Sequence, residues 1–187
     1  MDLDTRAGSD RLLRPRRHLV VLLLLLAAGV VLIDQATKAV ALQYLGGGRS
    51  VELVGEFLQL RLLYNPGAAF SLATGMTWVL TVIAVVVVAV VVRVARRLGS
   101  RGWAVALGLL LGGAVGNLID RLTRAPGFGR GHVIDFIAYW DWFVGNVADI
   151  AIVAAAALIV LLGLLGIGVD GSREPRPHSG DHGGHDA

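Results

Sequence analysis

Four long apolar runs dominate the pattern of hydrophobic and polar positions along the chain. They cover residues 19–33 with an extension to 40, about 68–92, 102–119 and 150–169. Crossing the hydrocarbon core of a bilayer takes roughly 20 helical residues, and a helix satisfies its backbone polar groups without water. The pattern therefore predicts an α-helical integral membrane protein with four transmembrane helices, forming one membrane domain over 19–169.

The first run follows a basic lead, residues 1–18, and is predicted to be a retained span rather than a cleaved signal peptide. Its helical pattern continues through Lys38 and ends at the glycines 46–48, with no small-x-small cleavage site before them. A cleaved signal peptide has a shorter apolar core and such a site. We therefore count this run as the first of the four helices.

Arginines are concentrated at one end of these runs. Five lie in the lead, between Arg6 and Arg17, and four more separate the second run from the third without any acid among them: Arg93, Arg96, Arg97 and Arg101. The segment 43–67 instead balances its two arginines with two glutamates. The positive-inside rule then predicts that both termini are cytoplasmic and that the loops 43–67 and 120–149 face outward.

The two outer loops differ in character. Residues 51–64 partly alternate apolar and polar positions, which predicts two short strands turning near Gly55 and Glu56, a small extracytoplasmic β element. The loop 120–149 carries aromatic residues between 139 and 143, a composition typical of the headgroup level. The tail 170–187 is rich in Gly, Pro, His and charge and is predicted to be a disordered, solvated cytoplasmic segment.

The composition of the chain excludes several kinds of reactive and metal-binding site. The chain is 55% hydrophobic with a mean hydropathy of +0.68, and it has no cysteine. Disulfides, thiolate nucleophiles and cysteine-based metal sites are thereby excluded. Histidines show no HExxH spacing or cluster for zinc, so we expect no metal and no cofactor. The basic pI of 9.9 comes from arginines beside apolar runs. These arginines are topology signals, and we expect no nucleic-acid partner.

Polar residues within the runs gather near one depth. At 1.5 Å per residue, Asp34 lies about 24 Å above His18, Asn117 about 21 Å above Trp103, and Asp149 about 30 Å from Val169. Intramembrane ionisable residues are costly and usually functional. The convergence of three helices at this level therefore favours a functional site near the outer boundary.

Spacing predicts which of these side chains share a helix face. Asp34 and Lys38 are four apart and are expected to pair, and Asn117 and Arg121 are also four apart. Asn146, three residues before Asp149, is a candidate N-cap of the fourth helix. Interhelical hydrogen bonds that only lock the bundle are the structural alternative for each pair.

Carboxylates are the plentiful reactive groups at this level. Two carboxylates that share one proton hydrolyse peptide bonds in aspartic peptidases, because crowding at a desolvated site raises one pKa. The outer candidates are Asp120, Asp135, Asp141 and Asp149, and the residues alone do not choose among them. A small proton-coupled transporter and a non-enzymatic membrane scaffold are the alternatives to an enzyme.

Five motifs occur in order through nearly the whole membrane region. They are Asp-Gln-Ala-Thr-Lys at 34–38, Asn-Pro-Gly-Ala-Ala-Phe-Ser at 65–71, Gly-Gly-Ala-Val-Gly-Asn-Leu-Ile-Asp-Arg at 112–121, Val-Ile-Asp-Phe at 133–136 and Asn-Val-Ala-Asp at 146–149. In these motifs the chain resembles lipoprotein signal peptidase, the type II signal peptidase of bacteria. Departures from the family pattern are Gly145, where Phe is common, and Ile150, where Ser is common.

The resemblance implies an aspartic endopeptidase in the bacterial cytoplasmic membrane with its site on the extracytoplasmic side. It implies cleavage of prolipoproteins before a diacylglyceryl-modified cysteine, with prolipoproteins and membrane lipids as partners and a monomeric state. Asp135 and Asp149 match the catalytic pair. The residues that match the supporting and substrate-contacting set are Asp34, Lys38, Asn65, Asn117, Arg121 and Asn146. Asp120 is expected to be an ion-pair partner of Arg121, and His132 a hydrogen-bonding residue at headgroup level.

Overall fold

The computed structural model describes residues 16–67 and 77–173. Its elements, in chain order, are the helices and strands α1 (Arg17–Tyr44), β1 (Ser50–Val54), β2 (Leu58–Asn65), α2 (Thr77–Ala95), α3 (Arg101–Thr123), β3 (Val133–Tyr139), β4 (Phe143–Gly145) and α4 (Val147–Leu164). All four helices are long and apolar enough to span a membrane. Most of the basic lead, the predicted start of the second span at 68–76 and the tail from 174 lie outside the described residues.

Helix α3 is central and packs against the other three helices. Small residues let it approach α1 closely. A Cβ built on Gly108 would lie 2.9 Å from the carbonyl oxygen of Leu23, and one on Gly112 would lie 2.8 Å from that of Ala27. Glycines four residues apart on one face bring helix backbones into contact in membranes. This spacing therefore explains why α1 and α3 pack so tightly.

The same glycine-rich helix also touches α4. A Cβ on Gly113 would lie 2.5 Å from the carbonyl oxygen of Ala148, in the first turn of α4. One on Gly116 would lie 2.7 Å from the Asp34 carboxylate. The polar residues of α1 and the start of α4 are consequently held against one stretch of α3.

Apolar side chains face both inward and outward, as expected of helices in a lipid environment. A buried cluster at one end of the bundle includes Leu19, Leu23, Val91 and Leu98. The outer surface of α2 exposes valines at positions 82–92 that a soluble protein would bury. This pattern fits helices whose outer faces contact lipid.

Four antiparallel strands form one sheet in the order β1-β2-β3-β4. The predicted hairpin over 51–64 is confirmed as β1 and β2. The addition of β3 and β4 was not predicted. Strand β3 pairs with β2 so that Leu63 lies opposite Asp135 and Asn65 lies opposite Val133. The sheet thereby places Asn65 and Asp135 in neighbouring positions on adjacent strands.

The predicted bounds of the fourth span, 150–169, were wrong at both ends. Helix α4 begins at Val147, because Asn146 caps it, and ends at Leu164. Gly166 has a φ of 64°, and the Ile167 N–H donates to the Leu162 carbonyl at 3.0 Å. This is a Schellman C-cap, which stops the helix although the apolar sequence continues.

Candidate active site

Asp135 is buried on β3, with 1% of its surface exposed. Both of its carboxylate oxygens accept amide hydrogen bonds, from Asn65 Nδ2 at 2.7 Å and from Asn146 Nδ2 at 2.6 Å. Burial raises the pKa of Asp135 to about 6, with the negative charge of Asp149 adding to the rise and the two amide bonds opposing it. A carboxyl group with such a pKa exchanges protons close to neutral pH.

Asp149 lies in the first turn of α4, where a capping box fixes it. The Asn146 side chain accepts from the Asp149 backbone N–H at 3.0 Å, and the Asp149 carboxylate accepts from the Asn146 backbone N–H at 3.1 Å. Asn117 on α3 donates a further bond of 2.9 Å to the same carboxylate. The predicted N-cap is confirmed, and it joins both aspartates through the single side chain of Asn146.

Next to this pair, Lys38 is fully buried and forms ion pairs with two carboxylates. Its Nζ lies 2.8 Å from Asp34 and 2.7 Å from Asp120, and it donates a third bond to Asn117 Oδ1 at 3.1 Å. The predicted Asp34–Lys38 pair is confirmed. A buried ammonium with this many partners is a rigid link between α1 and α3.

The carboxylates bound to Lys38 also hold the elements that carry Asp135 and Asp149. Asp34 accepts from the backbone N–H of Ala148 at 3.0 Å, next to Asp149. Asp120 accepts from the backbone N–H of Ile134 at 3.2 Å, next to Asp135. The ion cluster therefore sets the position of both aspartates through their neighbours in the chain.

The expected Asp120–Arg121 ion pair was wrong. Asp120 pairs with Lys38 and, at 2.6 Å, with Arg124, because residues four apart share a helix face and consecutive ones do not. The buried Nε of Arg121 has no hydrogen-bond partner among the described residues, and its charge acts on Asp135 and Asp149. Arg121 is thus a cation close enough to the pair to interact with both carboxylates, and its Nε makes no hydrogen bond to the described residues.

Of the four aspartates left open by the sequence, the structure brings two together. Asp135 and Asp149 share Asn146, Asp120 belongs to the ion cluster, and Asp141 is exposed on the turn between β3 and β4. No group of three or more metal-ligating side chains occurs within residues 16–67 and 77–173.

Two members of the polar network were missed. Gln35 donates to Asp34 at 3.1 Å and to the Gly116 carbonyl at 3.1 Å, which joins α1 to α3 once more. Arg124 is a second cation bound to Asp120, and its Nε donates to the Asp120 carboxylate at 2.6 Å. The spacing of four residues between Asp120 and Arg124 was the signal in the sequence that could have identified Arg124.

An apolar groove of about 440 Å³ runs from Asp149 along α4. Its lining residues are Tyr139, Phe143, Gly145, Asn146, Asp149, Ile150, Val153, Ala154 and Ala157. A Cβ on Gly145 would lie 2.5 Å from the Phe143 ring. The two departures from the family pattern thus both line this groove, and the Phe143 ring occupies the space beside Gly145.

Two buried or half-buried carboxylates joined by one asparagine lie at one end of four helices long enough to span a membrane, an arrangement with the two acidic groups that a membrane aspartic peptidase requires. Residues 26–165 match the family Peptidase_A8, described as signal peptidase (SPase) II. The chain belongs to the signal peptidase II family. It is a protease of aspartic type that removes signal peptides from prolipoproteins.

Similar proteins agree with this assignment. A lipoprotein signal peptidase of Rhodococcus jostii is 54% identical over 162 residues, covering 86% of this chain and 82% of the relative. One from Mycobacterium avium is 48% identical over 170 residues, covering 90% and 93%. A solved bacterial membrane enzyme superposes with a TM-score of 0.67 at 29% identity, covering 76% of this chain and 87% of the other. A second gives 0.65 at 30% identity, covering 76% and 92%.

Proposed function

We propose that Asp135 and Asp149 are the catalytic pair and that they activate one water molecule for direct attack on the scissile carbonyl carbon. The ionised carboxylate accepts a proton from the water while the protonated one donates to the carbonyl oxygen. The tetrahedral intermediate then collapses, the C–N bond breaks, and the leaving amine takes a proton from the pair. The bridging position of Asn146 between the two carboxylates is the observation that carries this proposal.

The surrounding residues support the pair in distinct ways. Asn65, Asn117 and Asn146 supply amide donors that orient the carboxylates. Lys38 and Asp34 hold the start of α4 in place. Arg121 is the cation available to a substrate carbonyl or to the developing oxyanion, because its Nε is not bonded to any described residue.

The substrate bond is the one before a diacylglyceryl-modified cysteine. The lipid on that cysteine is attached close to the scissile carbonyl, so an acyl chain must begin near the pair. The groove that starts at Asp149 and continues along α4 is apolar, and we assign it to an acyl chain of the substrate. The outer segments 46–64 and 122–145 close over the peptide and exclude bulk water.

We propose that the pair lies on the extracytoplasmic side of the bacterial cytoplasmic membrane and that both termini are in the cytoplasm. Four arginines lie at the end of the bundle opposite to the pair: Arg93 in the last turn of α2, Arg96 and Arg97 between α2 and α3, and Arg101 at the start of α3. The positive-inside rule assigns that end to the cytoplasm. The protein acts as a monomer in this proposal, since one chain supplies every member of the network.

A transporter relay is not favoured. Among the described residues, the buried charged side chains are Asp34, Lys38, Asp120 and Asp135, and they all lie at one end of the bundle. A relay across the membrane requires polar groups at several depths.

Cleavage of a lipidated and an unlipidated precursor peptide by purified protein tests the proposal. We expect wild type to cleave only the lipidated peptide and Asp135→Asn and Asp149→Asn to lose cleavage by more than about a thousandfold, because each removes the shared proton chemistry. Asp141→Asn, which changes an exposed aspartate, is the matched control and should cleave normally. Robust cleavage by either dyad variant, with intact folding, contradicts the assignment.

A further inference from the structure

A cavity of about 640 Å³ lies at the end of the bundle opposite to the carboxylate pair. It is lined by three arginines, Arg93, Arg96 and Arg97, together with Val94, Val169 and Asp170. The start of α3 beside it is separated from Asn117 by 16 residues, or about 24 Å of helix. This arginine cavity is therefore separate from the proposed active site and plays no part in its chemistry.

A second, apolar depression adjoins the arginine cavity. This α1–α2 groove has a volume of about 220 Å³ and is lined by Val20, Leu23, Leu24, Val91, Val92, Ala95, Arg96 and Leu111. Arg96 lines both the cavity and the groove. The basic arginine cavity thus adjoins the apolar α1–α2 groove on the lipid-facing surface. A phospholipid likewise joins a charged headgroup to apolar acyl chains.

The wall of the arginine cavity is well defined. The backbone N–H groups of Gly99 and Ser100 both donate to the Val169 carbonyl, at 2.9 and 3.2 Å. Gly99 is packed so closely on the Asp170 backbone that no Cβ fits. The Trp103 indole donates to the Ile167 carbonyl at 2.8 Å. These contacts fasten the turn between α2 and α3 to the segment after α4. The backbone that carries the arginines is therefore held in one position.

Charge in the arginine cavity is unbalanced. All ion pairs among the described residues lie in the cluster around Lys38 and Asp120, at the other end of the bundle. The cavity therefore holds three unpaired guanidinium groups and one carboxylate, that of Asp170. The Asp170 carboxylate already accepts two hydrogen bonds from Ser172, at 3.0 and 2.6 Å. An anion is the ligand that this arrangement favours.

We propose that the arginine cavity and the α1–α2 groove together bind one anionic phospholipid. Guanidinium groups bind phosphate oxygens in bidentate fashion, so the headgroup phosphate lies among Arg93, Arg96 and Arg97. One acyl chain lies in the groove against Val20, Leu24 and Val92. The bound lipid clamps the ends of α1 and α2 together and stabilises the bundle, whereas a zwitterionic lipid lacks the net charge that the cavity requires.

Thermal unfolding of the full chain in detergent, with added phosphatidylglycerol, phosphatidylcholine or inorganic phosphate, tests this proposal. We expect phosphatidylglycerol to raise the Tm by several degrees and the other two additives to leave it nearly unchanged. Equal stabilisation by inorganic phosphate overturns the lipid assignment, since the groove then contributes nothing. Equal stabilisation by phosphatidylcholine overturns the role of charge.

Two triple variants of equal charge locate the effect. The test variant changes the cavity arginines, R93Q/R96Q/R97Q, and the control changes three exposed arginines at the other end, R49Q/R61Q/R130Q. We expect the phosphatidylglycerol shift to vanish in the first and persist in the second, with cleavage activity in detergent unchanged in the first. An equal shift in both variants overturns the site. The single variant R96Q, at the junction, should lose at least half of the shift and serves if the triple variant does not fold.

Discussion

Asn65 donates a hydrogen bond of 2.7 Å to Asp135 across the boundary between β2 and β3. The bond favours the ionised form of the carboxyl group and thus opposes the rise in pKa that burial causes. The pKa of about 6 is consequently a balance between desolvation and two amide donors, one of which comes from the β1–β2 hairpin.

Removing this donor should move the pH dependence of cleavage. In Asn65→Ala, the ionised form loses stabilisation, so the pKa of Asp135 rises above about 6. The pair then keeps its shared proton to higher pH, and the basic limb of kcat/KM moves upward by about one pH unit. Measuring kcat/KM for a lipidated peptide as a function of pH gives this shift. Gln43→Ala, an exposed change at the end of α1, should leave the limb in place, and an unmoved limb in Asn65→Ala would show that the bond does not tune the pair.

Lys38 should dominate the stability of the polar core. Lys38→Met leaves Asp34 and Asp120 buried without their shared cation, which costs about 3–5 kcal/mol. Denaturant unfolding in mixed micelles gives the free energy of unfolding. Adding Asp34→Asn and Asp120→Asn to the same chain should restore part of the loss, because these two positions then no longer hold buried carboxylates without Lys38. Wild-type stability of Lys38→Met alone would contradict the role of the cluster.

Gly116 should be intolerant of even one methyl group. A Cβ there would lie 2.7 Å from the Asp34 carboxylate and 3.4 Å from Ala148, so Gly116→Ala pushes α1 and α4 away from α3 at a cost of about 1–3 kcal/mol. Gly29→Ala on α1 is the matched control, since nothing lies within 4 Å of its Cβ. The control should gain up to about 1 kcal/mol through helix propensity. Similar unfolding free energies for both variants would refute the packing argument.

Ala154 should control binding of the lipidated substrate. Ala154→Trp fills the groove beside Asp149, so KM for a diacylglyceryl peptide should rise by about tenfold, or 1.4 kcal/mol, with a smaller effect on kcat. Val86→Trp, on the exposed surface of α2, adds the same ring elsewhere and should change neither constant. An unaltered KM in Ala154→Trp would assign the acyl chain to another surface.

The sequence predicts the helices and their polar pairs well because the responsible signals are local. Length and apolarity define each span, and the four-residue spacing of Asp34 and Lys38 defines their ion pair. The end of α4 was missed because a Schellman cap at Gly166 overrides a continuing apolar run. Local rules thus identify an element more reliably than they place its ends.

Contacts between distant segments were harder to predict. The pairing of β2 with β3 joins residues about 70 positions apart, so no periodicity within either segment indicates it. Asp120 was assigned to its neighbour Arg121, although it binds Lys38 on another helix. The choice of Asp135 as the partner of Asp149 came from the family motif, and the geometry supplies the physical link through Asn146.

The bond between Asp34 on α1 and the Ala148 N–H at the start of α4 has a consequence for biosynthesis. Asp149, its cap and the partner of Asp34 all belong to the last helix to leave the ribosome. A nascent chain with only three inserted helices therefore lacks one carboxylate of the proposed pair and the backbone donor that binds Asp34. On the proposed mechanism, proteolytic competence arises only with the final insertion step, so an unfinished chain cannot cleave its neighbours in the membrane.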